Sequence, residues 1–367
     1  MSQQPTVPTG VNAAAWPACA AAHRLSGTTY YPAFDWLRGA SALAVMLHHD
    51  KVLQWDNAGR FAVDVFFALS GWLIGGILLQ TTRAELPRFF FNRAVRIWVP
   101  YYLALVLLLG ASLLRDPITF KWLEFVTYKL TFVYNLFGPP QLATHVQDMP
   151  LDGTGNHFWS VNAEEQFYLL APLLLVVAAP KLGRNALTWV AIALVAWLGR
   201  YYAPIVFGVL AAVLVNRYGS FHQSHLGRVI VMVAGLSSAA AIAWGLDYDL
   251  FAPVCAVSIV LALAFTGERH LFGEVVGGMS YPLYLNHWIG VFVANAALGP
   301  FGLRDSGTRQ LLAVVISVGM AVALYWFMEK RLLARRRELF TMTRGKLVAG
   351  FAYATILIGL AFAIAMR

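Results

Sequence analysis

Apolar runs long enough to cross a lipid bilayer recur along the whole chain, and no other feature limits its possible folds so strongly. A helix needs about 20 mostly apolar residues to cross the ~30 Å hydrocarbon core. Runs of this kind lie near residues 34–50, 61–80, 97–114, 165–180, 186–200, 202–216, 229–246, 250–267, 278–298, 310–328 and 347–366. The fourth to sixth are short, so nine to eleven spans are expected. Backbone polar groups in lipid must pair internally, and a membrane barrel would show alternation instead of solid apolar runs. The expected fold is therefore all-α, a polytopic membrane helical bundle. Composition agrees: 59% of residues are hydrophobic and 12% charged, against about 25% charged in soluble domains. This excludes a soluble globular domain and a disordered chain alike. Two cysteines, Cys19 and Cys255, supply neither a disulfide framework nor a thiolate metal site, and no metal is expected.

Lys and Arg gather in cytoplasmic loops of membrane proteins. With the N-terminus cytoplasmic, the inner segments collect Arg38, Arg83, Arg88, Arg93, Arg96, Lys181, Arg184, Arg217, Arg228, Arg269 and the run from Lys330 to Lys346. The net charge of +9 then reports topology, and no nucleic-acid partner is expected. The Arg335–Arg337 cluster can also meet anionic lipid heads. Residues 1–29, with Pro5, Pro8, Gly10 and Pro17, read as a flexible cytoplasmic tail. Residues 30–330 form the membrane domain, 331–346 a basic cytoplasmic linker, and 347–367 an additional C-terminal transmembrane helix. The longest non-spanning stretch, 115–160, falls on the outer face; its first part reads as an amphipathic helix and its second, around Gly138-Pro139-Pro140, as loop.

Ionisable residues within spans are costly and by default point to function. The first span carries Asp35 and Arg38, three apart on one helix face at its inner end, and His48-His49 towards its outer end. An ion pair and interfacial histidines would account for these, although histidine is also the side chain best suited to moving protons near neutral pH. Arg93 and Arg96 share a face near the inner end of the third span, amid Phe89, Phe90, Phe91 and Trp98. They are either positive-inside anchors or guanidinium forks for phosphate oxygens, with rings available to stack on adenine. No GxxxxGK[ST] loop is present to cradle a triphosphate.

The string Trp159-Ser160-Val161-Asn162-Ala163-Glu164-Glu165-Gln166-Phe167-Tyr168 opens the fourth span. Asn162 and Glu165 have the spacing of a capping box, which leaves Glu164 unexplained. In the ninth span Tyr281, Tyr284 and His287 form a polar stripe on one face, as interhelical hydrogen-bonding residues do. Ser70-Gly71 reads first as close helix packing.

Taken together, Asp35-x-x-Arg38-Gly39 with His49 beyond it, Asp64-Val65-Phe66-Phe67-Ala68-Leu69-Ser70-Gly71, Arg93-x-x-Arg96, the Trp159–Tyr168 string and Ser280-Tyr281-Pro282-Leu283-Tyr284-Leu285-Asn286-His287-Trp288 resemble the acyltransferase-3 family of multi-span membrane acyltransferases. The motifs arise in that family's order between residue 31 and about residue 328. The resemblance implies O-acylation of a glycan or lipid-linked sugar in the bacterial inner membrane, with cytoplasmic acetyl-CoA as the donor co-substrate. It further implies that Arg38 and His49 are the family's arginine–histidine pair, Arg93 and Arg96 its loop arginines, and Glu164 the first carboxylate of its Trp-Ser-Leu-Ser-Val-Glu-Glu-Gln-Phe-Tyr string. Here Asn162-Ala163 replaces the common Ser-Val, and His48 beside His49 leaves two registers for the essential histidine.

These roles lead to a two-sided expectation. The arginines hold the phosphates of acetyl-CoA at the cytoplasmic mouth, and the thioester arm reaches through a continuous tunnel to His49. His49 acts as general base on an acceptor hydroxyl, oriented by Glu164 beside it near the outer surface. Two other readings account for part of the pattern. A transporter or flippase would use buried His, Asp and Arg as a proton relay, and a scaffold subunit of an export complex would need no polar constellation.

Overall fold

A computed structural model of the protein describes residues 30–138 and 144–366. The tail expected at 1–29, and Pro139 and Pro140 of the outer loop, lie outside these residues. The described chain is built of helices, with no strand among the described residues. The principal ones are α1 (Pro32–His49), α2 (Ala58–Gln80), α3 (Leu86–Leu113), α4 (Phe120–Leu130), α5 (Trp159–Pro172), α6 (Ala186–Leu198), α7 (Ala203–Tyr218), α8 (His225–Ala243), α9 (Tyr248–Leu263), α10 (Leu271–Leu298), α11 (Gly307–Leu324), α12 (Lys330–Leu339) and α13 (Met342–Ala365).

Each of the eleven apolar runs overlaps one of these helices, the fourth continuing beyond α5 through a π-helical turn at Leu173–Val177. Five segments are long and apolar enough to cross a membrane: Ala58–Gln80, Arg83–Leu113, His225–Ala243, Gly307–Leu339 and Met342–Ala365. The short runs correspond to shorter helices, α6 with 13 residues and α7 and α9 with 16 each. At 1.5 Å per residue these are about 20–24 Å long, less than the ~30 Å core. The 28-residue α10 is long enough but carries Glu274, Ser280, Tyr281, Tyr284, Asn286 and His287, and it buries Ser280, Tyr284, Asn286 and His287.

The most enclosed apolar segment is α2, with 67% of its most apolar window buried, whereas α8, α11 and α13 bury 17–22% of theirs. The peripheral helices thus turn apolar side chains outward, as lipid contact requires. Centrally, α2 and α7 touch backbone to backbone. A Cβ added at Gly71 would overlap the Ile205 carbonyl, and one at Gly208 would overlap the Ala68 carbonyl. Small residues at helix crossings permit this approach in a bilayer, where apolar burial alone offers no drive for association. The packing role read for Ser70-Gly71 is therefore present, although Ser70 also has a second one, described below.

Beyond α3 the chain builds a cap. Thr119 caps α4 by accepting from the Trp122 amide (3.0 Å), and α4 buries Trp122, Phe125 and Tyr128, as an amphipathic helix should. Phe125 and Tyr128 join Tyr134, Met149 and Ala363 in a cluster separate from the main core, so α13 is tied to the cap at its C-terminal end. Along its length α13 packs on α3, and Tyr353 donates to the Leu169 carbonyl (2.9 Å). The basic stretch expected as a linker is helical over most of its length, as α12.

Candidate active site

The motif strings, far apart in sequence, converge because α1, α2, α3, α5 and α10 surround one cavity of about 260 Å³. Arg38 enters it from α1, Ser70 from α2, Arg93 and Arg96 from α3, Ser160, Glu164 and Tyr168 from α5, and Tyr281 and Tyr284 from α10. Arg38 pairs with Asp35 at 3.3 Å, and Asp35 also accepts from the Tyr30 hydroxyl. Glu164 accepts from both the Ser70 and the Tyr168 hydroxyls. The Arg93 guanidinium lies 5.8 Å from the Tyr168 ring centroid. Three guanidinium groups thus face one carboxylate in a space whose other lining groups are serine and tyrosine hydroxyls and apolar side chains such as Phe66, Phe67 and Ile74. Such a cavity favours an anion, since guanidinium forks match phosphate or carboxylate oxygens and low-dielectric walls strengthen the attraction.

A second polar group lies next to this cavity. His49 Nδ1 is 3.0 Å from His287 Nε2, and His287 Nδ1 is 2.9 Å from the Tyr284 carbonyl oxygen. The His157 ring packs at 4.7 Å from His287 and 5.6 Å from His49, centroid to centroid. Ring nitrogens of the three histidines lie within 4.8 Å of one another, a set that can hold a metal ion. His157 and His287 are buried, whereas His49 is exposed. His48 points elsewhere: its ring lies against Gly59 on α2, and its Nδ1 has no partner. Between cavity and cluster stand two hydroxyls. Tyr284 donates to the His157 carbonyl (2.7 Å) and accepts from Ser160 (2.6 Å).

Two expectations from sequence do not match this arrangement. Glu164 is not beside His49; His49 bonds His287, and Glu164 belongs to the arginine cavity. The reason is helix geometry. His157, which packs on His49, precedes Glu164 by seven residues, or about 10 Å of helical rise, so a group touching the first cannot touch the second. The expected continuous tunnel is also interrupted. The cavity is lined by Ser160 and Tyr284 but by none of the three histidines.

The capping box is a further correction. α5 begins at Trp159, so Asn162 lies inside the helix, where it donates to the Tyr101 hydroxyl (3.0 Å) and accepts from the Tyr134 amide (3.1 Å). Glu165 accepts from the Trp98 indole (2.8 Å) instead of closing the helix start. The Tyr281–Tyr284–His287 stripe does form interhelical contacts, with Tyr281 donating to the Ile97 carbonyl (3.2 Å), and it runs from the cavity to the histidine cluster. His157 was given no role from the sequence, and Ser70 was read only as a packing residue. His157 stands two residues before the string that carries Glu164, and on the inferred topology it lies at the same outer level as His49, which was the available signal.

Comparison with known proteins gives these features a common setting. The family model described as "Acyltransferase domain" matches residues 31–329. The chain is 28% identical over 185 residues to the peptidoglycan O-acetyltransferase OatA of Listeria monocytogenes, covering 48% of this chain and 30% of that protein. It is 33% identical over 173 residues to YrhL of Bacillus subtilis, also named for peptidoglycan O-acetylation, covering 42% of this chain and 25% of that protein. A Staphylococcus aureus protein named as an O-acetyltransferase is 30% identical over 156 residues, 40% of this chain and 25% of its own length. The chain thus spans less than a third of the length of these relatives. No solved structure matches. With all five motif strings inside the matched region, the chain belongs to this acyltransferase family.

Proposed function

We propose that the protein transfers an acetyl or similar short acyl group from acyl-CoA to a hydroxyl of a cell-envelope glycan or its lipid-linked precursor, in the bacterial inner membrane. The observation that carries this reading is the pairing of two unlike sites across the Ser160–Tyr284 hydroxyls: an arginine-lined cavity and an imidazole cluster with one exposed member. Arg38, Arg93 and Arg96 bind the phosphates of the donor from the cytoplasmic side, consistent with a cytoplasmic N-terminus. At about 260 Å³ the cavity holds only part of a nucleotide thioester, so the adenine end remains outside it. Glu164, held by Ser70 and Tyr168, balances the arginines and fixes their positions. His49, exposed on the opposite side, takes the proton of the acceptor hydroxyl. The alkoxide forms a bond to the thioester carbonyl carbon, the C–S bond breaks, and the proton passes from His49 to the departing thiolate. Movement of Ser160 or Tyr284 is required for the thioester to reach His49.

The names of two relatives refer to peptidoglycan O-acetylation, which supports an acetyl group and a cell-envelope glycan acceptor; the arginine-lined cavity supports the donor. The test is transfer of labelled acetyl from acetyl-CoA to a peptidoglycan or lipid-linked glycan acceptor by the full chain reconstituted in liposomes. Acceptor labelling is expected. Transport of the glycan without label transfer would replace this reading with the transporter one.

A further inference from the structure

The hydrogen bonds around His287 determine which nitrogen of His49 is free to act. The Tyr284 carbonyl only accepts, so His287 Nδ1, 2.9 Å away, must carry the hydrogen. A neutral imidazole has one N–H, which leaves His287 Nε2 with a bare lone pair. His49 Nδ1 lies 3.0 Å from that lone pair and must therefore be the donor. The remaining nitrogen of His49, Nε2, is then the basic one. No carboxylate bonds to either ring among the described residues, and a buried unpaired charge is costly, so the neutral pair is the resting state.

We propose that His287 is a positioning residue that sets the tautomer of His49, through a chain from the Tyr284 carbonyl to His287 Nδ1–H, then from His287 Nε2 to His49 Nδ1–H. This rests on His49 being the general base. The chain presents Nε2 to the acceptor hydroxyl, and it holds the Nδ1–H of the imidazolium once the proton has been taken. A carboxylate performs this task in Ser-His-Asp triads. Here a neutral ring anchored on a backbone carbonyl performs it. That explains how His49 is oriented without Glu164.

The test uses the full chain in lipid nanodiscs with 15N-labelled histidine. Nitrogen shifts report which ring nitrogen carries the hydrogen, and the His49 signals are identified by their absence in His49→Gln. His49 is expected as the Nδ1–H form. In His287→Gln the amide oxygen can replace Nε2 as acceptor, so this tautomer and turnover within about tenfold of wild type are expected. In His287→Leu the tautomer preference is expected to vanish and kcat to fall about 10²-fold or more, with the donor KM unchanged. An Nε2–H form of His49 in the wild type overturns the proposal, as do equal losses in the Gln and Leu variants. So does activity abolished by a chelator and restored by Zn²⁺, which would make the cluster a metal site. If the wild type shows the Nδ1–H form yet transfers no acyl group, the tautomer assignment stands and the catalytic reading of His49 fails.

Discussion

The two polar regions of the bundle are built on opposite principles. The cavity among α1, α2, α3, α5 and α10 concentrates full charges, three guanidinium groups against Glu164, with Arg38 also paired to Asp35 outside the cavity lining. The histidine cluster beside it holds no carboxylate among the described residues, and its hydrogen bonds run from ring to ring and from ring to backbone. A charged enclosure suits binding an anion, whereas neutral imidazoles suit taking up and returning a proton near neutral pH. Keeping them apart has a physical advantage. A guanidinium beside His49 would disfavour its protonated form and weaken it as a base.

Substitution at His49 would break this division of labour most sharply. His49→Ala is expected to lower kcat about 10²–10⁴-fold, the range of general-base help, while acyl-CoA still binds; His48→Ala, on the face turned to Gly59, should stay within about threefold of wild type in the same transfer assay. Normal turnover in His49→Ala would dissolve the distinction between the two regions. Arg93→Ala is next. Loss of one charge-assisted contact is worth about 1.5–3 kcal/mol, so donor Kd should rise roughly 10–100-fold by calorimetry with the pH profile of turnover unmoved.

Glu164→Gln sharpens the comparison further. If Glu164 serves the donor cavity, donor binding should change by about tenfold or less, with His49 titration unaltered by NMR. A shifted His49 titration would place the two groups in one unit after all. The smallest effect concerns neither site. Lys129, buried in the cap, donates weakly to the Gly155 carbonyl (3.4 Å) and sits 4.8 Å from the Tyr134 ring centroid. Burial pushes its ammonium down to about 7. Its folded form therefore releases a proton that the unfolded chain keeps up to about pH 10, and cap stability should rise as pH increases from about 7 to 10. Lys129→Met should raise hydrogen-exchange protection in residues 120–137 at pH 7 and remove that pH dependence, with catalysis little changed.

Sequence reading placed the helices well because lipid forces solid apolar runs, and those runs survive any arrangement of the bundle. It singled out Arg38, Arg93, Arg96 and Glu164 as ionisable residues at costly positions but assigned Glu164 to His49, whereas all four line one cavity. It misplaced Glu164 because the start of α5 was read four residues too late, with the cap at Asn162 instead of Phe158. On a helix that displacement changes both depth and facing direction. His157 escaped notice because a lone histidine before a span looks interfacial until its neighbours are known.

The amino-acid sequence alone determined the helical membrane class, the order of the polar motifs and the family they imply, since each follows from local composition and short spacings. Tertiary structure decided the partners: that His49 meets His287, that Glu164 meets Ser70 and Tyr168, and that Ser160 and Tyr284 stand between the two sites. Those pairings join residues as many as 238 positions apart. They depend on helix rotation and depth in the bundle, which no local pattern encodes.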